Sequence, residues 1–193
     1  MNQIEWRANS TKQLIAFENS KPLSDFDHPE VQAQAWVNSL NLDPQTEALC
    51  MVGCGSGFQI ETLLKAYPQL KLYVVESRPS LIGFFSKKFK NVEFLFVEKM
   101  ENLMNFENLE YLMSAKVEKV LYKPAVGYQV EILEEAYWFL NLRTYEALSF
   151  HLKKKIEGSA QALISAKQFF QNVDKNYSYY KTSELLTVKE IIK

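Results

Sequence analysis

Cysteine and histidine are both scarce, with two of each in 193 residues. That is too few for a disulfide framework or a four-ligand zinc centre. Positive charge is not in excess either. Lys and Arg total 22 against 23 Asp and Glu, a net charge of -1. A nucleic-acid binder that works by neutralising phosphates needs a basic surplus, so that class is excluded. No apolar run approaches the roughly 20 residues needed to span a bilayer. The opening Met1-Asn2-Gln3-Ile4-Glu5 has no basic region leading into an apolar stretch, so no signal peptide is read there. No Ser-His-Asp or Cys-His set assembles, which leaves catalytic residues unassigned. These absences predict a soluble cytoplasmic protein with no metal, nucleic-acid or membrane partner.

What is present centres on Ala48–Glu76. An apolar run, Ala48-Leu49-Cys50-Met51-Val52, leads into Gly53-Cys54-Gly55-Ser56-Gly57. Ile60, Leu63, Leu64 and Tyr67 then recur at helical spacing, and a second apolar run, Leu72-Tyr73-Val74-Val75, ends on Glu76. This is the pattern of a βαβ unit. Glycines allow a sharp turn and a close approach of backbone to a ligand, and the following helix offers free N–H groups. An acid roughly 20 residues on is placed to accept hydrogen bonds from ribose hydroxyls.

The remainder of the chain extends the same rhythm. Gln13–Phe17 reads as a strand and Glu18–Pro22 as a turn, with a helix opening near Asp27-His28-Pro29-Glu30. Ala33, Trp36, Val37 and Leu40 form the apolar face of that helix. After Glu76 comes a helix from Pro79, with Ile82, Phe85 and Phe89 inward. A third strand follows at Val92–Val97, ending on Glu98, then a helix near Glu107–Ser114 and a fourth strand at Val117–Tyr122. The expectation is an α/β fold, a Rossmann-like three-layer sandwich. Its sheet is mostly parallel, in the order 3-2-1-4, with additional N-terminal strands. Beyond Lys123-Pro124 the β-then-α rhythm stops. Helices are predicted at Gln129–Asn141, Tyr145–Phe170 and Val188–Ile192. The division expected is a Rossmann-like region over 1–128 and a helical extension over 129–193 packed on it.

The glycine turn narrows the ligand. Phe58 stands where a dinucleotide fingerprint has its third glycine, and the P-loop lysine is missing. Gly53-x-Gly55-x-Gly57 resembles motif I of class I S-adenosylmethionine-dependent methyltransferases. That resemblance implies S-adenosylmethionine or a nucleotide-type ligand over Gly53, Gly55, Ser56 and Gly57. Glu76 falls at the family's ribose acid and Glu98 at a residue near adenine. Met51 stands where the family carries an acid two residues before its first glycine, and helices replace its later strands.

A second resemblance covers residues 10–193. Ser24-Asp25-Phe26-Asp27-His28-Pro29-Glu30, then Met51–Phe58 (MVGCGSGF), then Val74–Pro79 (VVESRP) resemble the N-terminal domain of the motility accessory factor family. Phe169–Asn172 and Ser183–Lys193 are similar to that family's helical linker. Those proteins resemble sialic-acid-type glycosyltransferases that modify flagellin. This implies an accessory domain, without complete catalysis of its own, whose protein partner is a transferase or a flagellar protein. The alternative is a diverged methyltransferase. Cys54, beside a helix N-terminus, is placed where a thiol pKa can be lowered, although small-residue packing explains it better. Trp36 and Trp138 are expected in the core, and the lysine runs at 87–88 and 153–155 on solvated faces.

Overall fold

The computed structural model describes residues 4–127 and 130–158. Two compact units divide between Asn141 and Leu142, and the helix at Val130–Leu140 falls in the first. The part of the predicted 145–170 helix beyond Gly158, the helix at 188–192 and the linker-like tail lie outside the described residues.

The first unit is built on a parallel sheet of β4 (Ala48–Val52), β5 (Lys71–Glu76), β6 (Val92–Phe96) and β7 (Val117–Leu121). β1 (Ile4–Ala8), β2 (Leu14–Glu18) and β3 (Lys21–Pro22) belong to a separate sheet at the N-terminus. The spatial order is β6-β5-β4-β7, the expected 3-2-1-4. All five residues of β4 are buried, which is why it reads as an unbroken apolar run: a central parallel strand is covered on both faces. Leu49 pairs with Leu72 and Met51 with Val74, so these four side chains share one face. On that face they pack with Ile60 and Leu63 of α2 (Phe58–Ala66) and with Leu81 and Phe85 of α3 (Pro79–Lys88). Leu81 takes the inward place that the spacing assigned to Ile82, which is only partly buried. α1 (Pro29–Asn38) packs on α2. His28 is its N-cap and Pro29 its first residue.

The opposite face carries Cys50, Val52, Tyr73 and Val75, all buried. It is covered by α4 (Met100–Met104), α5 (Leu109–Met113) and α6 (Val130–Leu140). Helices on both faces make the α/β sandwich three-layered. Trp138, expected in the core, is instead 39% exposed on α6. The second unit holds α7 (Tyr145–Gly158) among the described residues.

The N-terminal lead-in is more ordered than its sequence suggests. β1 (Ile4–Ala8), β2 (Leu14–Glu18) and β3 (Lys21–Pro22) form an antiparallel meander. Asn19 and Ser20 both take positive φ, 47° and 66°. They form the two-residue link between Glu18 and its partner Lys21. Two left-handed residues match the twist of a hairpin, and Asn tolerates that conformation. Ile15, Ala16 and Leu23 are fully buried, so the meander belongs to the core and not to a loose arm.

Phe85 joins these parts. It is fully buried, stacks with Phe89 at 5.8 Å and meets the Trp6 ring edge-on at 6.0 Å. Phe85→Ala is expected to lower the unfolding free energy by about 3–5 kcal/mol, read from the urea midpoint.

Candidate functional site

The glycine turn sits at the C-terminal end of β4, where an open α/β sheet ordinarily leaves a ligand crevice. Here the chain's own N-terminal segment occupies that space. Gly55 has φ +53°, and a Cβ placed on it would lie 2.8 Å from the Leu23 carbonyl oxygen and 2.9 Å from Ser24 Oγ. The Ser56 N–H donates to Ser24 Oγ at 3.0 Å, and Ser56 Oγ accepts from the Ala16 N–H at 3.0 Å. Gly57 has φ +87° and packs on Phe85, which would lie 2.5 Å from an added Cβ. The turn therefore makes the close approach its glycines imply, and the close neighbours are protein atoms. Cys54 is fully buried within it.

Glu76 ends β5 as predicted, and its carboxylate is fully buried. Oε2 accepts from the Cys54 N–H at 3.0 Å and from Cys54 Sγ at 3.1 Å. Oε1 accepts from the N–H groups of Ser77 at 2.8 Å and Arg78 at 3.2 Å, and from Arg78 Nη1 at 2.8 Å. Two carboxylate oxygens offer about four lone-pair sites, so five donors saturate them. Arg78 continues the network. Its Nη2 donates to Glu18 Oε2 at 2.9 Å and to the Val126 carbonyl at 2.9 Å. Its side chain is 4% exposed, and Glu18 and Glu76 are wholly enclosed. Gly127 admits this cluster because it has no Cβ. One placed there would meet Glu18 Oε2 at 2.6 Å and Arg78 Nη2 at 2.7 Å.

Three buried charges need mutual compensation, because each ion loses several kcal/mol of hydration. Burial works against the Arg78 charge, but Glu76 and Glu18 outweigh it and hold the guanidinium pKa above its ordinary value. Cys54 follows the packing reading and not the helix-terminus one. Burial, reinforced by the adjacent Glu76 carboxylate, pushes its thiol pKa well above the ordinary value. Burial also pushes the Cys50 thiol up to about 12. Neither is an activated nucleophile, because the thiolate is the reactive species.

The structure thus brings Gly53, Gly55, Ser56, Gly57 and Glu76 to one end of the sheet, and Glu98 follows β6 at that same end, one residue beyond Val97, whose N–H donates to the Glu76 carbonyl at 3.0 Å. Glu98 is exposed, and its N–H donates to Asn102 Oδ1 at 3.2 Å. Glu18, Ser24 and Arg78 carry site roles that sequence reasoning did not assign. For Arg78 the signal was a cation two residues beyond a strand-end acid and directly before the Pro79 helix start. Tyr122 follows β7 with its ring buried, edge-on to Trp36 at 5.3 Å, and its hydroxyl donates to Gln32 Oε1. Burial pushes that phenol pKa up, so Tyr122 is a poor base at neutral pH. A cavity of about 350 Å³ between α1 and α2 is lined by Glu30, Gln34, Phe58, Glu61, Thr62, Lys65 and Ala66, none of them a predicted site residue. Among the described residues, no cluster of three or more His, Cys, Asp or Glu side chains is placed to hold a metal.

The Glu76 carboxylate points inward with its acceptors filled, and Leu23 and Ser24 lie on the turn. No family model, curated protein or solved structure matches the chain.

Arg78→Met is expected to destabilise the fold by about 3–5 kcal/mol, because it leaves Glu18 and Glu76 as buried carboxylates without their cation. Chemical denaturation would measure this. The cysteines give a second test. Their folded pKa values lie above the ordinary 9.0, so the folded state retains thiol protons that the unfolded chain releases. That stabilisation is complete below pH 9 and declines as pH rises beyond it. At pH 9 both thiols should resist alkylation in the native protein and react once it is unfolded in urea, as mass spectrometry would show.

Proposed function

We propose that this chain is a cytoplasmic, non-catalytic Rossmann-like accessory domain, in which the geometry of a nucleotide-binding turn serves internal packing. The observation that carries this reading is Glu76, fully buried with five donors on its two oxygens. A ribose acid has to face its ligand, and an acceptor with no free lone pair adds no affinity. Met51 supports the same reading, since it lies in the buried core where the methyltransferase pattern carries an acid. The sequence resemblance to the motility accessory factor N-terminal domain supplies the context. The domain would serve a transferase or flagellar protein and leave the chemistry to that partner. No helix among the described residues is long and apolar enough to cross a membrane.

Calorimetry with S-adenosylmethionine, and separately with a nucleotide sugar, is expected to give no saturable heat up to ~1 mM ligand, a free energy of no more than about -4 kcal/mol. Turnover of labelled methyl or sugar donors by the protein alone should be absent. A sub-micromolar dissociation constant that is weakened in a folded Glu76→Gln variant would overturn the proposal in favour of a diverged methyltransferase.

A further inference from the structure

β1 is an edge strand. Among the described residues its one strand neighbour is β2, and its other side pairs with nothing. An open edge is a template for a further strand, and proteins commonly guard it with charged side chains, proline, bulges or a covering element. β1 has no proline, and its two charges are of opposite sign. Its five residues, Ile4-Glu5-Trp6-Arg7-Ala8, carry one acid and one base symmetrically about Trp6. Glu5 and Arg7 are exposed, with side-chain exposures of 55% and 44%, and they bond each other along the strand at 2.8 Å. They share the sheet face that also carries Phe17, over whose ring the Arg7 guanidinium sits at 4.4 Å. On the other face Trp6 tilts against Phe84 at 4.8 Å, and Phe84 is 45% exposed, a large apolar ring left at the surface beside the open edge.

We propose that β1 pairs antiparallel with β1 of a second copy of this chain, across a two-fold axis through Trp6. Glu5 of each copy then opposes Arg7 of the other, Ile4 opposes Ala8, and the two Trp6 residues face one another. Opposite charges directly across an antiparallel pair are favourable, and like charges there are unfavourable. No register shifted by one or two residues keeps both charge pairs, so the pattern selects a single alignment. The exposed Glu5–Arg7 pair becomes an alternating square of four charges. The two three-stranded meanders join into one six-stranded sheet, and the axis brings the two Trp6–Phe84 pairs toward each other. A two-fold interface must be self-complementary, and a strand with its acid and base placed evenly about a central residue meets that condition.

Sedimentation equilibrium of the full chain over a concentration series tests this. The wild type is expected to show a reversible monomer–dimer equilibrium. Glu5→Arg and Arg7→Glu should each raise the dimer dissociation constant by about tenfold or more, because each places like charges at both symmetric positions. The double variant, with acid and base exchanged, should restore wild-type association, which loss of fold in either single variant would not explain. Both positions are exposed, and circular dichroism melting would establish that each variant is folded. A wild type monomeric up to its solubility limit would overturn the proposal. So would a dimer indifferent to the single reversals, or a double variant that stays weakened.

Discussion

Arg78 holds together parts of the chain that share no secondary structure. One guanidinium reaches Glu76 at the end of β5, Glu18 at the end of β2 and the Val126 carbonyl beyond β7. The hydration of three charged groups is surrendered to make this cluster, so its geometry has little freedom to vary. Backbone N–H groups of Cys54, Ser77 and Arg78 share the compensation by donating to Glu76. Remove the cation and two carboxylates remain in a space closed to water. The meander, the glycine turn and the strand ends are consequently locked as one piece, and apolar contact alone would leave their relative register looser.

The glycine turn follows from that lock. Because Glu76 draws the Cys54 amide toward it, the backbone of the turn lies against the segment that supplies Glu18 and Ser24. Ser24 Oγ accepts from the Ser56 N–H in the turn that leads into α2. Ser56 and Ala16 add a second stitch. The turn is packed against this segment, and positive-φ glycines are needed for the same steric reason whether a ligand or the chain itself lies against them.

This equivalence marks the limit of what the sequence makes legible. β4 and β5 are readable because burial on both faces demands continuous apolar runs, and their order follows from the β-then-α rhythm. The turn is readable as a turn. Its occupant is not, since Gly55 must lack a Cβ whether the neighbour is a ligand or the Leu23 carbonyl. Glu76 is visible as a strand-end acid, but its fate depends on Glu18, whose partner Arg78 lies 60 residues away, and no local pattern links them. β1 and β3 escape notice because one carries two charged residues in five and the other has two residues in all. Trp138 misleads because an apolar side chain at helical spacing is only statistically inward.

The hairpin at Asn19–Ser20 joins neighbouring residues, whereas Arg78, the cation that meets Glu18 at its tip, lies 60 residues further along the chain. At ~5–20 residues per second a ribosome takes about 3–12 s to cover that distance. Val126 arrives 48 residues later still. The clamp is therefore one of the later contacts the sheet can make, since it needs the end of β2, the end of β5 and the backbone beyond β7 together.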